Sequence, residues 1–308
     1  MAGRVLILHH DPEPAEPRIA AMLRQAGRDV SLVDIRSAAE ARPGDIVLNR
    51  VYASVGNRDW RAVAATLAWL RRAERRGAVC INPAAACLAD YAKLVAARRM
   101  ARAGVPRPAT RLWSGRLDAA TGAFLETVGW PVIVKPDLGG RGHRVALVEG
   151  PRDLIGTIAA LDRQSTAGAR RRYVLQAFVP STMAYDLRVG VVDGVVRYAY
   201  GRSLISDSAG DRCWLASMAR GSVLLDDVPL PDAAGEVARA ASAAIGAVVN
   251  EVDIVMGPSG PMVIENNLTP NFVDTPAEQT RLRALLEPLA HSSGDAARRR
   301  HRLATATA

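Results

Sequence analysis

The sequence predicts an α/β protein: a doubly wound parallel sheet at the N-terminus, followed by a larger α+β part rich in antiparallel strands. Three observations carry this. Over roughly the first 85 residues, short apolar runs alternate with amphipathic helical segments, the pattern of strand–helix–strand crossovers. From residue 186 onward strands dominate, and two of them flank Asp193-Gly194, a two-residue hairpin turn. Between these parts the pattern is punctuated by Asn82-Pro83, Gly104, Pro106 and Pro108. With 308 residues and 49% hydrophobic content, the chain can form one large domain or two to three small ones with real cores.

In order, residues 4–8 read as a strand, 14–27 as a helix closed by Gly27, 30–33 as a second strand and 45–48 as a third after Pro43-Gly44. A long helix over 58–76 sets Trp60, Val63, Leu67 and Leu70 at three- to four-residue spacing and closes at Gly77. Residues 78–81 are a fourth strand. A single helix over 89–103 follows, then a strand at 110–112, a helix at 118–128 and a strand at 132–135. Loop 136–144 leads to a strand at 145–148, a helix at 151–161, a polar break at 170–172 and a buried-type strand at 173–178. Strands 187–192 and 195–202 form the hairpin. A helix at 232–247, strands at 251–256 and 262–265 around a 257–260 turn, and a helix at 276–290 complete the series. The divisions are 1–88, an N-terminal α/β domain; 89–173, a central subdomain; 174–291, a C-terminal subdomain; and 292–308, an Arg- and Ala-rich flexible tail. There is no internal repeat.

The formal charge of +9 raises the nucleic-acid class, but the basic residues are scattered, with no aromatic-interleaved stripe and no zinc-finger spacing. Their runs are those of solvated helix faces, and the excess favours an acidic substrate. The three cysteines, Cys80, Cys87 and Cys213, have no paired spacing, which fits reduced thiols in a cytoplasm. The first apolar run is too short for a secretory signal, and no stretch is long enough to span a membrane.

Lysine usage is the sharpest compositional feature. Of 40 basic residues only Lys93 and Lys135 are lysines. Ammonium is a compact point charge on a thin stem and guanidinium a wide planar fork. Either two lysines survived by chance, or they occupy tight sites where the fork does not fit.

Around Lys135 the sequence runs from a buried strand into a loop carrying Gly139, Gly140 and Gly142. Such glycines let backbone N–H groups cradle phosphate oxygens; a plain glycine-rich hairpin is the other reading. The lysine precedes the glycines and a strand follows them, so this is neither a Walker A loop nor a dinucleotide fingerprint. Glu265 ends a strand, Asn267 follows, and Asp253 lies twelve residues upstream on the strand paired with it. Two carboxylates and an amide oxygen are hard ligands suited to Mg²⁺ on nucleotide phosphates. The extended segment Gln176, Ala177, Phe178 and Val179 offers backbone groups to an adenine edge, and Asp186 is a ribose candidate. Arg188 and Arg202, on adjacent hairpin strands, can clamp a phosphoryl group if they face one side.

Taken together over roughly residues 89–275, these segments resemble the ATP-grasp superfamily, most closely its RimK-type amino-acid ligases. The residues that carry the resemblance are Asp90-Tyr-Ala-Lys93 before a helix ending in Gly104-Val-Pro106, 132–136 with its glycine loop, 176–179, Asp186-Leu-Arg188, Glu251-Val-Asp-Ile254 and Ile264-Glu-Asn-Asn267. Residues 1–88 resemble the preceding α/β domain of such proteins. The resemblance implies an ATP-grasp fold and an ADP-forming ligase that activates a carboxylate as an acyl phosphate and joins it to an amine of an amino acid or peptide. It implies Lys93 and Lys135 on ATP phosphates, 176–179 at adenine, Asp186 at ribose, and Mg²⁺, with Mn²⁺ as an alternative, on Asp253, Glu265 and Asn267. Arg188 and Arg202 would stabilise the transferred group, and Arg50, Ser217 and Arg220 would face substrate. A homo-oligomer, dimer or tetramer, is also implied, with no nucleic-acid or membrane partner.

The departures concern the acceptor side. Ala177 stands where an acidic residue is usual, Leu215 and Ser217 where an Arg-x-Asn motif is usual, and His143 where an aliphatic residue is common. A specialised substrate is the expectation, with contacts from His9, His10 and His143 left open. A carboxylate–thiol ligase, a phosphotransferase and a non-catalytic ATP-binding module are the alternatives.

Overall fold

A computed structural model describes residues 3–169, 171–206, 213–272 and 275–290. The tail expected over 292–308 lies outside the described residues. In the N-terminal part, β1 (Val5–His9), β2 (Val30–Asp34), β3 (Ile46–Asn49) and β4 (Val79–Ile81) form a parallel sheet in the order β2-β1-β3-β4. Helix α1 (Ala15–Gln25) covers one face, where Ile19 and Leu23 meet Val5 and Ile7. Helix α2 (Trp60–Arg75) covers the other, where Val63, Leu67 and Leu70 meet Leu6 and Leu8. Burial on both faces is why β1, β3 and β4 read as continuous apolar runs rather than as alternation.

The helix expected over 89–103 is two helices, α3 (Ala84–Tyr91) and α4 (Lys93–Arg102). Ala92 between them is extended, with φ −118 and ψ 104, and bridges Leu138 in the glycine loop. A tertiary pairing therefore overrides a sequence that is helix-favouring throughout.

The central subdomain follows with β5 (Thr110–Leu112), α5 (Ala119–Val128), β6 (Val132–Pro136), β7 (Ala146–Val148), α6 (Pro151–Arg163) and β8 (Tyr173–Ala177). Its sheet is antiparallel, in the order β5-β8-β6-β7. Leu125 of α5 and Leu154, Ile158 and Leu161 of α6 pack against Val132, Val134 and Leu175.

The C-terminal sheet is antiparallel, in the order β11-β10-β9-β12-β13. Its strands are β9 (Tyr185–Val192), β10 (Val195–Ser203), the short β11 (Leu224–Leu225), which has no sequence signal, β12 (Val249–Gly257) and β13 (Gly260–Asn267). Asp193 and Gly194 both have positive φ, 52 and 74, the type I′ geometry that matches strand twist. Helix α7 (Asp232–Ile245) lays Ala234, Ala238, Ala241 and Ile245 against Leu187, Val189, Val252 and Ile254. Because strand side chains alternate, Asp186, Arg188, Glu251 and Asp253 are sent to the opposite face. Helix α8 (Pro276–Ala290) packs with α1 around Val192 and Val249, docking the N-terminal domain onto the end of this sheet. Asn82 stitches the joint: its Oδ1 accepts from Val248 and Val249 N–H at 2.7 and 2.8 Å, and its Nδ2 donates to the Val249 carbonyl at 2.8 Å.

Candidate active site

The registers of β10, β9, β12 and β13 arrange the charged residues of the open face in rows. One row runs Tyr200, Arg188, Asp253, Glu265, each paired with the next. The row beside it runs Tyr198, Gly190, Glu251, Asn267. On the other side Arg202 pairs with Asp186. A bulge at Ile264 sets the Asp253–Glu265 pairing, a device common beside active sites. Arg188 grips Asp253 with two nitrogens, Nε to Oδ1 at 2.6 Å and Nη2 to Oδ2 at 2.9 Å. Arg202 reaches the same carboxylate at 2.8 Å and holds Asp186 through Nε and Nη2 at 3.0 and 2.5 Å. The two arginines thus face one side.

The two lysines close the array from across the cleft. Lys93 Nζ lies 3.1 Å from Glu265 Oε1 and donates to the Gly139 carbonyl at 2.6 Å. It starts α4 because Asp137, at the head of the glycine loop, caps that helix: the Lys93 N–H donates to the Asp137 carbonyl at 3.0 Å and the Leu94 N–H to Oδ1 at 2.9 Å. Nothing local in the sequence marks this cap, since it comes from more than forty residues away. Lys135, the penultimate residue of β6, is buried. Burial pushes its ammonium down to about 8, with Glu265 drawing it back up and Lys93 pressing it further down. Burial alone would raise Glu265, but Lys93 and Lys135 outweigh that and hold it below the usual carboxylate range.

A cleft of about 120 Å³ lies between the central and C-terminal sheets. Its charged lining is Lys93, Lys135, Asp186, Arg202, Asp253 and Glu265, and its apolar lining includes Ile133, Val145, Phe178, Val179, Leu204 and Trp214. Gly139, Gly140, Gly142, Gln176 and Ala177 also border it. Gln176 is fixed by Nε2 donating to Thr110 Oγ1 at 3.1 Å, and the Ala177 N–H donates to the Ala109 carbonyl at 2.9 Å. Apolar side chains combined with cations and carboxylates in one cleft have the polarity of a nucleoside triphosphate with its metal.

A model of the RimK-like ATP-grasp domain matches residues 91–279. The chain belongs to the RimK-like ATP-grasp family. It is 30% identical over 232 residues to the "Probable alpha-L-glutamate ligase" of Xanthomonas campestris pv. campestris (strain 8004), across 74% of this chain and 72% of the relative. A protein of the same name from Sodalis glossinidius (strain morsitans) is 30% identical over 205 residues, across 66% of this chain and 64% of its own. Among solved structures, the D-cycloserine synthetase DcsG superposes with a TM-score of 0.68 at 23% identity, covering 92% of this chain and 99% of that one. The ATP-grasp ligase PsnB, solved with a minimal precursor, gives 0.60 at 18%, covering 92% and 99%. These structural likenesses speak to the fold. The RimK-like chain is an enzyme, an ATP-dependent ligase that joins a carboxylate to an amine. No helix among its described residues is long and apolar enough to cross a membrane.

ATP-grasp ligases use ATP with a divalent metal ion. In this RimK-like ligase the residues expected to hold it fit the task. Asp253 and Glu265 are directly opposed. Asn267 commits its Nδ2 to the Glu251 carbonyl at 3.2 Å, which leaves its amide oxygen as the free donor. Burial would raise Asp253, yet Arg188 and Arg202 keep it low, so both carboxylates are ionised and hard.

The acceptor-side residues of the ligase are placed differently. Arg50 does not line the cleft: it is buried, with Nε on Glu16 at 2.9 Å and Nη2 on the Tyr52 hydroxyl at 2.7 Å. Ser217 clamps the glycine loop, its hydroxyl donating to the Arg141 carbonyl at 3.1 Å, and the Arg220 side chain lies beside Gly142. His10 meets Asp11 at 3.0 Å, away from the cleft lining, whereas His143 lines the cleft. Burial and Arg144 lower the His143 pKa, so its imidazole is neutral at physiological pH. Sequence reasoning missed Asp137, Leu204 and Trp214; the last borders the segment where the family motif is altered.

Proposed function

We propose that the protein activates a substrate carboxylate with MgATP and transfers the acyl group to the amine of an amino acid or peptide, releasing ADP and phosphate. The observation that carries this reading is the row Arg188, Asp253, Glu265, with Lys93 on Glu265 and with Lys93, Lys135, Asp253 and Glu265 together lining a partly apolar cleft.

In this reading Lys135 and Lys93 bind phosphate oxygens under the loop of Gly139, Gly140 and Gly142. The 176–179 segment receives adenine. Asp186, whose carboxylate has acceptor sites left beyond its two bonds to Arg202, takes a ribose hydroxyl. Asp253, Glu265 and Asn267 would hold Mg²⁺, or Mn²⁺ in its place, and the ion would there supply charge neutralisation for the nucleotide phosphates. A carboxylate oxygen of the acid substrate attacks the γ-phosphorus, the bond to ADP breaks, and Arg188 and Arg202 spread the charge of the transferred group. The amine then attacks the acyl carbon and phosphate leaves. The chain supplies position and charge, with no covalent enzyme intermediate. The chain's formal charge of +9 suits an acidic partner, and glutamate, named in the relatives, is the first amine to try. The altered 214–222 segment and the clamp from Ser217 favour a specialised acid.

The test is incubation with MgATP and pooled amino acids and small acids, following ADP, phosphate and new amide masses. Substrate-dependent ADP and phosphate with a new amide is the expected result. AMP and pyrophosphate would overturn the acyl-phosphate route.

A further inference from the structure

We propose that Glu251 is a positioning residue that fixes Arg188 for phosphoryl transfer, with Tyr198 as the group that holds Glu251 in place. This rests on the reading above, in which Arg188 meets the transferred phosphoryl group. In the ligand-free protein Arg188 spends Nε and Nη2 on Asp253. Asp253 is also the carboxylate that a cation would claim, so a loaded site takes away the partner that now orients the guanidinium. The remaining nitrogen, Nη1, faces Glu251 Oε2 at 3.4 Å. Glu251 is wholly buried, and a carboxylate in that condition is costly unless it is paired. It is the one other carboxylate in contact with Arg188 among the described residues, and it stays behind the metal donors when they turn to their ion.

The sheet is shaped around this carboxylate. Tyr198, Gly190 and Glu251 lie in one row across β10, β9 and β12. The Tyr198 ring crosses the middle strand over Gly190, where an added Cβ would sit 2.3 Å from Cζ, and its hydroxyl donates to Glu251 Oε1 at 2.8 Å. A bulge at Arg197 puts Tyr198 on this face while Val196 faces α7. Tyr200 adds its hydroxyl at 3.4 Å from each oxygen. The bulge, the missing side chain and the two hydroxyls all converge on a group that does not line the cleft, which is the arrangement of a support acting through its neighbour.

The experiment needs no knowledge of the acid or amine. MgADP affinity is measured by calorimetry with and without aluminium fluoride, a mimic of the transferred phosphoryl group, on the wild type, Glu251→Gln, Tyr198→Phe, Arg188→Ala and the Glu251→Gln/Arg188→Ala pair. The wild type is expected to gain at least about tenfold in affinity with fluoride, and Arg188→Ala to lose that gain. Glu251→Gln should leave MgADP affinity alone within about twofold and lose most of the gain, Tyr198→Phe should lose about threefold of it, and the pair should lose no more than Arg188→Ala alone. A full gain in Glu251→Gln, or losses that multiply in the pair, overturns the inference. So does a wild type that binds MgADP without any gain, or an Arg188→Ala that keeps it. A wild type that fails to bind MgADP sinks the proposed function instead. If Glu251→Gln does not fold, Tyr198→Phe, which removes one hydroxyl, carries the test, and an undiminished gain there is decisive against.

Discussion

Replacing Lys135 by Met should make the nucleotide-free protein more stable at neutral pH while crippling its use of ATP. Lys135 is buried, and its pKa falls from an ordinary 10.5 to about 8. That drop corresponds to roughly 3 kcal/mol of folding free energy withheld when the ammonium is charged. The sign follows from proton counts. Between about 8 and 10.5 the unfolded chain holds a proton that the folded chain has released, so wild-type stability rises with pH through this window. Below it both states are protonated and the whole cost stands. Met has nearly the length of the lysine stem and carries no charge, so it fills the site at little packing cost. Glu265 loses one of its cations but keeps Lys93 at 3.1 Å, which trims the gain. The melting temperature at pH 7 should rise by about 2–6 °C, with the difference shrinking toward pH 10. Losing one charged contact to phosphate costs about 1.5–3 kcal/mol, or a roughly 10- to 150-fold weaker grip on MgATP. Thermal melts from pH 6.5 to 10.5 without nucleotide, and calorimetry with MgATP, read the two effects separately. A lower melting temperature for the variant at pH 7, or unaltered affinity, would refute the reasoning.

Two further substitutions probe the array. Glu265→Gln removes the carboxylate opposite Asp253 and should cut turnover at least about 100-fold with the fold intact by circular dichroism; near-normal phosphate release would contradict its assignment. Asp137→Ala removes the cap of α4 and the partner of Arg172 at 3.0 Å, so it should cost about 1 kcal/mol in denaturant melts and raise the KM for ATP several-fold with kcat little changed. A KM equal to the wild type's would show that Lys93 does not need the cap.

Much of the cleft was legible in the chain itself. Lys93 and Lys135 stand out because arginine displaces lysine everywhere else, and both meet Glu265's charge in the folded protein. Strand ends before glycines or asparagines marked β6 and β13, and Asp193-Gly194 marked the hairpin that carries Arg188 and Arg202. The break at Ala92 was not legible, because residues 84–102 favour helix and only the bridge to Leu138 interrupts them. Arg50 follows the third strand in sequence, and the resemblance puts it at substrate. Its burial depends on Glu16, 34 residues away.

The sequence by itself determined most of the strands and helices, the break at Ala92 and the short β11 apart, and which charged groups the protein owns. These follow from spacing along a few residues: a period of two or of about 3.6, and the punctuation of Gly, Pro and Asn. Tertiary structure alone decided which charges meet. Arg188 and Asp253 are 65 residues apart, and their pairing depends on the register of β9 against β12. The bulge at Ile264 opposes Asp253 to Glu265, and the bulge at Arg197 turns Tyr198 toward Glu251. A shift of one residue in any of these ladders sends a side chain to the other face of the sheet. Register is set by the packing of whole faces against α7 and α8, and no short stretch of sequence contains it.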